Sequence, residues 1–161
     1  MQESIIVIAT AALFVGLATG VGLGRQDAGA EIRALHEVYY QYFAQGRADA
    51  IAERIYHPNR MTFGDDGVTI SSGRDEVQDA FQRTLDNLAA QFYDHSELPN
   101  PSICVPNPGT AIVSGMFRRY REDGSVLAEL GQTCIYGKTD AGWRVHATIG
   151  HTPETVIGCL E

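Results

Sequence analysis

The residues with the clearest potential for chemistry are a histidine near the C-terminus and an acid–histidine pair in the middle of the chain. His151 closes an alternating run that begins at Trp143. Because strand side chains alternate between two faces, His151 shares a face with Val145 and Ile149, and we predict that its imidazole points to the apolar interior. A histidine in a pocket can serve as a general acid or base.

Asp94 and His95 form the second candidate, since neighbours in a strand face opposite ways and only one of them can look into a pocket. An inward Asp94 beside His151 would orient the imidazole. The alternatives are an exposed strand end for Asp94, and for His151 a core histidine bonded to Tyr39 or Tyr42. The pair suggests cofactor-free acid–base chemistry of the lyase or isomerase type, which an outward Asp94 would contradict.

A further set of side chains is predicted to line one cavity around a small apolar molecule. Ser114 and Gln132 could donate hydrogen bonds inside it, although the register of their strands stays open. Arg118, Arg119 or Arg121 could clamp a carboxylate if one of them faced the cavity, with exposed positions as the alternative. The predicted ligand-binding residues are Tyr39, Tyr42, Phe63, Ser114, Met116, Gln132 and His151.

Composition and spacing argue against several other kinds of function. The chain has 12 basic and 20 acidic residues and a net charge of −8, so we predict no binding to nucleic acid. The histidines lack metal-ligand spacing, and no dinucleotide or phosphate-loop motif occurs, so we predict no metal and no cofactor. Cys104, Cys134 and Cys159 favour buried apolar roles plus a tail cysteine, with one disulfide as the alternative in an exported domain.

The elements that position these residues follow from the spacing of apolar side chains. Turns centred on Gly124 and Gly142 predict a three-stranded antiparallel meander over Thr110–Arg121, Ser125–Lys138 and Trp143–His151. Three helices should precede the meander, the first of them amphipathic. They are expected from Glu31 to Gly46, from Ala48 to Tyr56 and after Ser72, with short strands at Met61–Phe63, Val68–Ser71, Gln91–Glu97 and Ile103–Val105.

The first 30 residues are predicted to form a segment separate from one domain over residues 31–161. The run from Ile5 to Leu23 carries no charge and is long enough to cross a membrane as a helix. We predict an uncleaved membrane anchor through residues 5–23. The alternative is a signal segment cleaved near Ala30, which would leave an exported or periplasmic domain.

Four short motifs accompany this order of elements, namely Tyr39-x6-Gly46, Ile55-Tyr56-His57-Pro58, Ser72-Gly73-Arg74-Asp75 and Gly142-Trp143-Arg144-Val145. With these motifs, the order of elements resembles the nuclear transport factor 2-like superfamily, which includes ketosteroid isomerase, scytalone dehydratase and the SnoaL-like cyclases. The resemblance implies an α+β fold in which a cone-shaped, curved antiparallel sheet packs on three helices around an open apolar pocket, often as a homodimer.

Ketosteroid isomerase chemistry does not carry over with the resemblance. The tyrosine of its oxyanion hole falls on Tyr39, but the base falls on Gly64 and the acidic partner falls near Cys134. We therefore predict a small-molecule-binding domain with an apolar pocket, in which His151, Asp94 and Tyr39 are the candidates for turnover. The alternative is a non-catalytic dimerisation or association module anchored to the membrane.

Overall fold

A computed structural model describes residues 20–159 of the chain. Within this range a curved, unclosed sheet of seven strands wraps around three helices. The predicted membrane segment lies outside the described residues from Ile5 to residue 19, so its role stays a prediction. No helix within the described range combines the length and the apolar composition that crossing a membrane requires.

The helices and strands follow one another in the order that the sequence predicts. The first helix, α1, begins at Gly20 instead of the expected Glu31. The strands β5, β6 and β7 confirm the predicted meander. The elements are α1 (Gly20–Ala44), α2 (Ala48–Ala50) with a π-helical turn (Ile51–Ile55), β1 (Tyr56–Gly64), β2 (Gly67–Ser72), α3 (Arg74–Ala89), β3 (Tyr93–Glu97), β4 (Ser102–Asn107), β5 (Thr110–Arg121), β6 (Val126–Thr139) and β7 (Gly142–His151).

The sheet is mixed, which corrects the prediction of an antiparallel sheet. Its strands lie in the order β2-β1-β7-β6-β5-β3, and β4 also pairs with β5. All pairs are antiparallel except that of β1 with β7. Short turns force antiparallel pairing only between consecutive strands, whereas β1 and β7 are separated by most of the domain and are free to run in the same direction.

Aromatic rings fill the interior of the curved sheet, where the resemblance implies an open pocket. Tyr39 and Phe43 on α1, Tyr56 on β1 and Phe81 on α3 are all buried. The ring centroids of Tyr56 and Phe81 are 4.8 Å apart, and those of Tyr39 and Phe43 are 5.8 Å apart. The space left beside them has a volume of about 20 Å³. The main cavity therefore has to lie elsewhere.

A β-bulge in β7 decides which of its side chains face the core. Ile135 pairs with Ala147 and Tyr136 pairs with Val145, so His146 is an extra residue without a counterpart on β6. One extra residue reverses the alternation of faces beyond it. Val145 accordingly lies in the core, whereas His151 lies on the outer face, which corrects the prediction that the two share a face.

The C-terminal segment runs back over the outer face of β4 and β5. The backbone N–H of Ile157 donates a hydrogen bond of 2.9 Å to Ser114 Oγ. Cys159 forms a disulfide with Cys104, and Cys134 stays buried and unpaired. The tail cysteine is therefore bonded, which corrects the interpretation that all three cysteines are unpaired.

The bulge yields a prediction, because the ring of His146 occupies the space above Gly137. A Cβ on Gly137 would lie 2.8 Å from His146 Cδ2, and stacking on His57 at 4.2 Å limits how far that ring can move. We expect Gly137→Ala to lower the free energy of unfolding by about 1–3 kcal/mol in urea denaturation. The control is Gly64→Ala, whose Cβ would meet no atom of residues 20–159 within 4 Å and which should change stability by less than about 0.5 kcal/mol. Equal losses would contradict the prediction.

Candidate functional site

A cleft of about 370 Å³ lies between α1 and the connection from β3 to β4, and we call it the α1 cavity. Its apolar walls come from that connection and from the sheet. They are formed by Leu98, Pro99, Pro101, Ile103 and Val113. Charged side chains occur at the exposed rim, and α1 places two polar aromatic rings, those of His36 and Tyr40, inside.

His36 is buried, with 6% of its surface exposed, and it connects α1 to the sheet. Its Nδ1 lies 2.6 Å from the hydroxyl of Tyr136 on β6. Among the described residues this is the only hydrogen bond of that hydroxyl. The buried O–H is therefore satisfied only if Tyr136 donates to Nδ1 of His36. The second ring nitrogen, Nε2, then carries a hydrogen, and it has no partner within the described part of the chain. Burial lowers the pKa of His36 to about 4, so the ring is neutral near pH 7.

Tyr40 lies one helical turn after His36, and the centroids of the two rings are 5.3 Å apart. Its hydroxyl is buried and, like His36 Nε2, has no partner among residues 20–159. Burial raises the pKa of Tyr40 well above its ordinary value, so the hydroxyl stays protonated. The α1 cavity thus offers two neutral hydrogen-bond donors, which suits an oxygen acceptor on a ligand.

Sequence reasoning missed His36, although a signal for it was present. Ile32, His36 and Phe43 follow the helical spacing of the apolar face of α1, and a histidine there must be buried. The same spacing of four residues places His36 and Tyr40 side by side.

Both ring nitrogens of His151 form hydrogen bonds within the protein. Nδ1 lies 2.9 Å from the carbonyl oxygen of Thr152, which can only accept, so Nδ1 donates. Nε2 therefore accepts from Thr133 Oγ1 at 2.9 Å, and that hydroxyl in turn accepts from Ser114. His151 and Gln132 do come together at a surface depression of about 400 Å³. Neither ring nitrogen of His151, however, is free to act there as a general acid or base.

Asp94 faces outward and is not brought near His151. Its Oδ2 accepts a hydrogen bond of 2.6 Å from His95 Nδ1, and its side chain is 56% exposed. The ring of His95 stacks on Tyr120 at the far end of β5. The combination of His151 with Asp94, on which the acid–base hypothesis depends, is therefore not assembled.

The other predicted residues lie outside the α1 cavity as well. Tyr39 is part of the aromatic core, and Tyr42 accepts a hydrogen bond from Arg54 near the surface. Ser114 and Met116 belong to the face of β5 opposite the core residue Val113. Phe63 lies on β1 beside Ile149 of β7. Within the described range, no three His, Cys, Asp or Glu side chains come together as a metal site.

Comparison with known proteins identifies the family of this fold. Residues 30–153 match the family described as NTF2-like protein (DUF6841). No curated protein matches the chain.

Solved structures with the same fold come from several bacteria. An NTF2-like protein with a cystatin-like fold from Novosphingobium aromaticivorans is 18% identical, with a TM-score of 0.68 over 88% of this chain and 92% of that chain. A nuclear transport factor 2-like superfamily protein from Salmonella enterica is 15% identical, with a TM-score of 0.61 over 81% and 94%. An NTF2-like protein of unknown function from Shewanella oneidensis is 15% identical, with a TM-score of 0.62 over 75% and 96%. At these identities the similarity shows the fold alone.

The buried, neutral His36 predicts that the fold loses stability in acid. The unfolded chain binds a proton at His36 below its ordinary pKa of 6.5, whereas the folded chain does so only near 4. The stabilisation that the neutral His36 gives to the folded state is therefore complete above pH 6.5 and is lost as the pH drops from 6.5 to 4. It amounts to about 3 kcal/mol in the free energy of unfolding. We expect His36→Gln to remove this part of the pH dependence when urea unfolding is measured across that window. A variant with the wild-type slope would contradict the prediction.

Proposed function

The chain belongs to the NTF2-like family DUF6841, and on that premise we propose that it binds a small, largely apolar molecule that carries an oxygen acceptor. The observation that supports this proposal is a pair of buried polar atoms, His36 Nε2 and Tyr40 Oη, which belong to residues that line the α1 cavity and have no partner in the described part of the chain. Buried polar groups without partners are destabilising, by about 1–3 kcal/mol each. A ligand oxygen between them would satisfy both donors.

The size and the walls of the α1 cavity agree with this class of ligand. Its volume of about 370 Å³ falls in the range of roughly 300–1,000 Å³ that is typical of small-molecule sites. The walls are aliphatic, so the body of the ligand gains free energy by leaving water. Charges stay at the exposed rim, where Arg33, Glu37 and Glu97 lie.

Binding has more support than turnover. The lone pair of His36 is used by the Tyr136 hydroxyl, and the Tyr40 hydroxyl keeps its proton, so neither buried group is a base. The carboxylates of Glu37 and Glu97 belong to the rim and face solvent. A lyase or isomerase activity would need a second titratable group directed at the ligand inside the α1 cavity.

The proposal is tested with 4-phenylbutan-2-one, a ketone with an aromatic body, titrated into the full-length protein and followed by two-dimensional amide NMR. We expect saturable shifts confined to α1 and the β3–β4 connection, with a Kd of about 1 mM or tighter. Ile103→Trp fills the α1 cavity and should weaken binding at least about tenfold, because the new ring occupies the space of the ligand.

The matched control for this test is Ile135→Trp, which adds the same ring on the outer face of β6. It should leave the Kd unchanged. His36→Phe keeps a ring in place without the N–H donor and should weaken binding of the ketone several-fold. Shifts that cluster away from the α1 cavity, or equal affinity in the Ile103→Trp protein, would overturn the proposal.

A second candidate function, association with another copy of the chain, has support from an apolar stripe on the hairpin of β1 and β2. Met61 pairs with Ile70 and Phe63 pairs with Val68, so these side chains share one face. Ile70 is 65% exposed and Val68 is 56% exposed, and β2 is the edge of the sheet. Exposed apolar residues on an edge strand favour pairing with another chain. Membrane attachment of such a dimer through residues 5–23 stays a prediction.

Sedimentation velocity of the full-length protein tests this association. We expect a dimer that Ile70→Lys converts to a monomer, because the charge lies within the apolar stripe. Thr69→Lys places the same charge on the opposite face of β2 and should leave the dimer intact. A monomeric wild-type protein would exclude the candidate.

A further inference from the structure

Behind the α1 cavity lies a second, smaller space of about 20 Å³, which we call the inner chamber. Tyr40 and Ser96 line both spaces, so these two side chains separate them. A volume of this size holds about one water molecule or one oxygen atom. The inner chamber is therefore large enough for a terminal group of a ligand but not for its body.

The inner chamber is lined by one cationic side chain, Arg119, which has no carboxylate partner in the part of the chain that the structure describes. The guanidinium of Arg119 lies over two rings, with Cζ 5.7 Å from the centroid of Phe43 and 5.3 Å from that of Phe117. Its Nε is buried and has no hydrogen-bond partner, and Arg119 forms no ion pair with any described residue. Among residues 20–159, no Asp or Glu lines the inner chamber.

The neighbouring arginine shows that this arrangement is specific to one face of β5. Arg118 points the other way and donates through Nε to Glu129 Oε1 at 2.6 Å, on the exposed side of the sheet. Arg118 thus has a carboxylate partner, whereas within the described range the inner chamber offers Arg119 only aromatic faces and uncharged groups. Ring faces attract a cation but leave its N–H groups unpaired.

We infer that the ligand carries a single carboxylate-type group, one oxygen of which enters the inner chamber and pairs with Arg119. This inference rests on the proposed function and adds the charge class of the ligand to it. The apolar body remains in the α1 cavity, and the anionic end passes between Tyr40 and Ser96. Tyr40 also lines the inner chamber, and its hydroxyl, which has no partner among residues 20–159, can donate to the same anion.

The electrostatics favour one negative charge rather than several. A carboxylate would accept charge-assisted hydrogen bonds from a guanidinium that has no carboxylate partner among the described residues. Glu37 and Glu97 at the rim, and the net charge of −8 for the whole chain, repel a ligand with further anionic groups. A monoanionic acid with an apolar body meets both conditions.

The inference is tested with two probes of equal size, 4-phenylbutanoate and 4-phenylbutanamide, titrated into the full-length protein at about pH 8 and followed by amide NMR. We expect the carboxylate to bind about tenfold tighter than the amide. Arg119→Met should remove this preference and leave the affinity for the amide unchanged, because the apolar walls of the α1 cavity are intact. Arg119→Lys keeps a charge and should retain part of the preference.

Two matched controls separate Arg119 from the other cations nearby. Arg118→Met on the outer face and Arg33→Met at the rim should both keep the preference for the carboxylate. Equal affinity of the wild-type protein for the two probes would overturn the inference without any variant, and so would a preference that is lost in Arg33→Met. If the amide binds in the α1 cavity without a preference, the inference fails alone; if neither probe binds there, the proposed function fails with it.

Discussion

The packing of aromatic rings between α1, α3 and the sheet is the constraint from which the rest of this structure follows. Tyr39, Tyr56 and Phe81 come from three elements that are distant in sequence, and all three rings are buried. Aromatic side chains bury the most apolar area per residue, so this cluster fixes how α1 and α3 sit in the curved sheet. Because the rings fill the interior, the usable cavity is displaced to the gap between α1 and the β3–β4 connection.

Most elements of the fold could be predicted from the sequence because local signals specify them. The glycine-centred turns and the alternation of β5, β6 and β7 placed the meander close to its observed bounds. The direction of β1 beside β7 has no local signal, since the two strands meet only after the whole domain has formed. The bulge at His146 is likewise a property of the pair β6–β7, and it placed His151 on the opposite face from the one predicted.

The candidate site could be predicted less well, because its chemistry depends on which polar atoms remain unpaired. The apolar face of α1 was predictable from its spacing, and Tyr39 does belong to it. Whether His36 offers a free donor depends on Tyr136, which is 100 positions away in the sequence. Conversely, His151 looked reactive in isolation, but Thr133 and Thr152 use both of its ring nitrogens. The type of a residue shows which hydrogen bonds it can form, but only the tertiary contacts show which of its donors and acceptors remain free for a ligand.

The two arginines that stack on the aromatic core show how one packing arrangement can have two different consequences. Arg60 lies over Tyr56 and Phe81, and Arg119 lies over Phe43 and Phe117. Each has a buried Nε without a partner among the residues that the structure describes. The ring faces attract these half-buried guanidinium groups, so neither residue needs a carboxylate for the fold to be stable. Arg119 differs in that it borders a chamber next to a ligand-sized cavity. The stability of the fold thus accounts for the stacking of both arginines. The location of Arg119 beside the α1 cavity is what supports its proposed pairing with an anion.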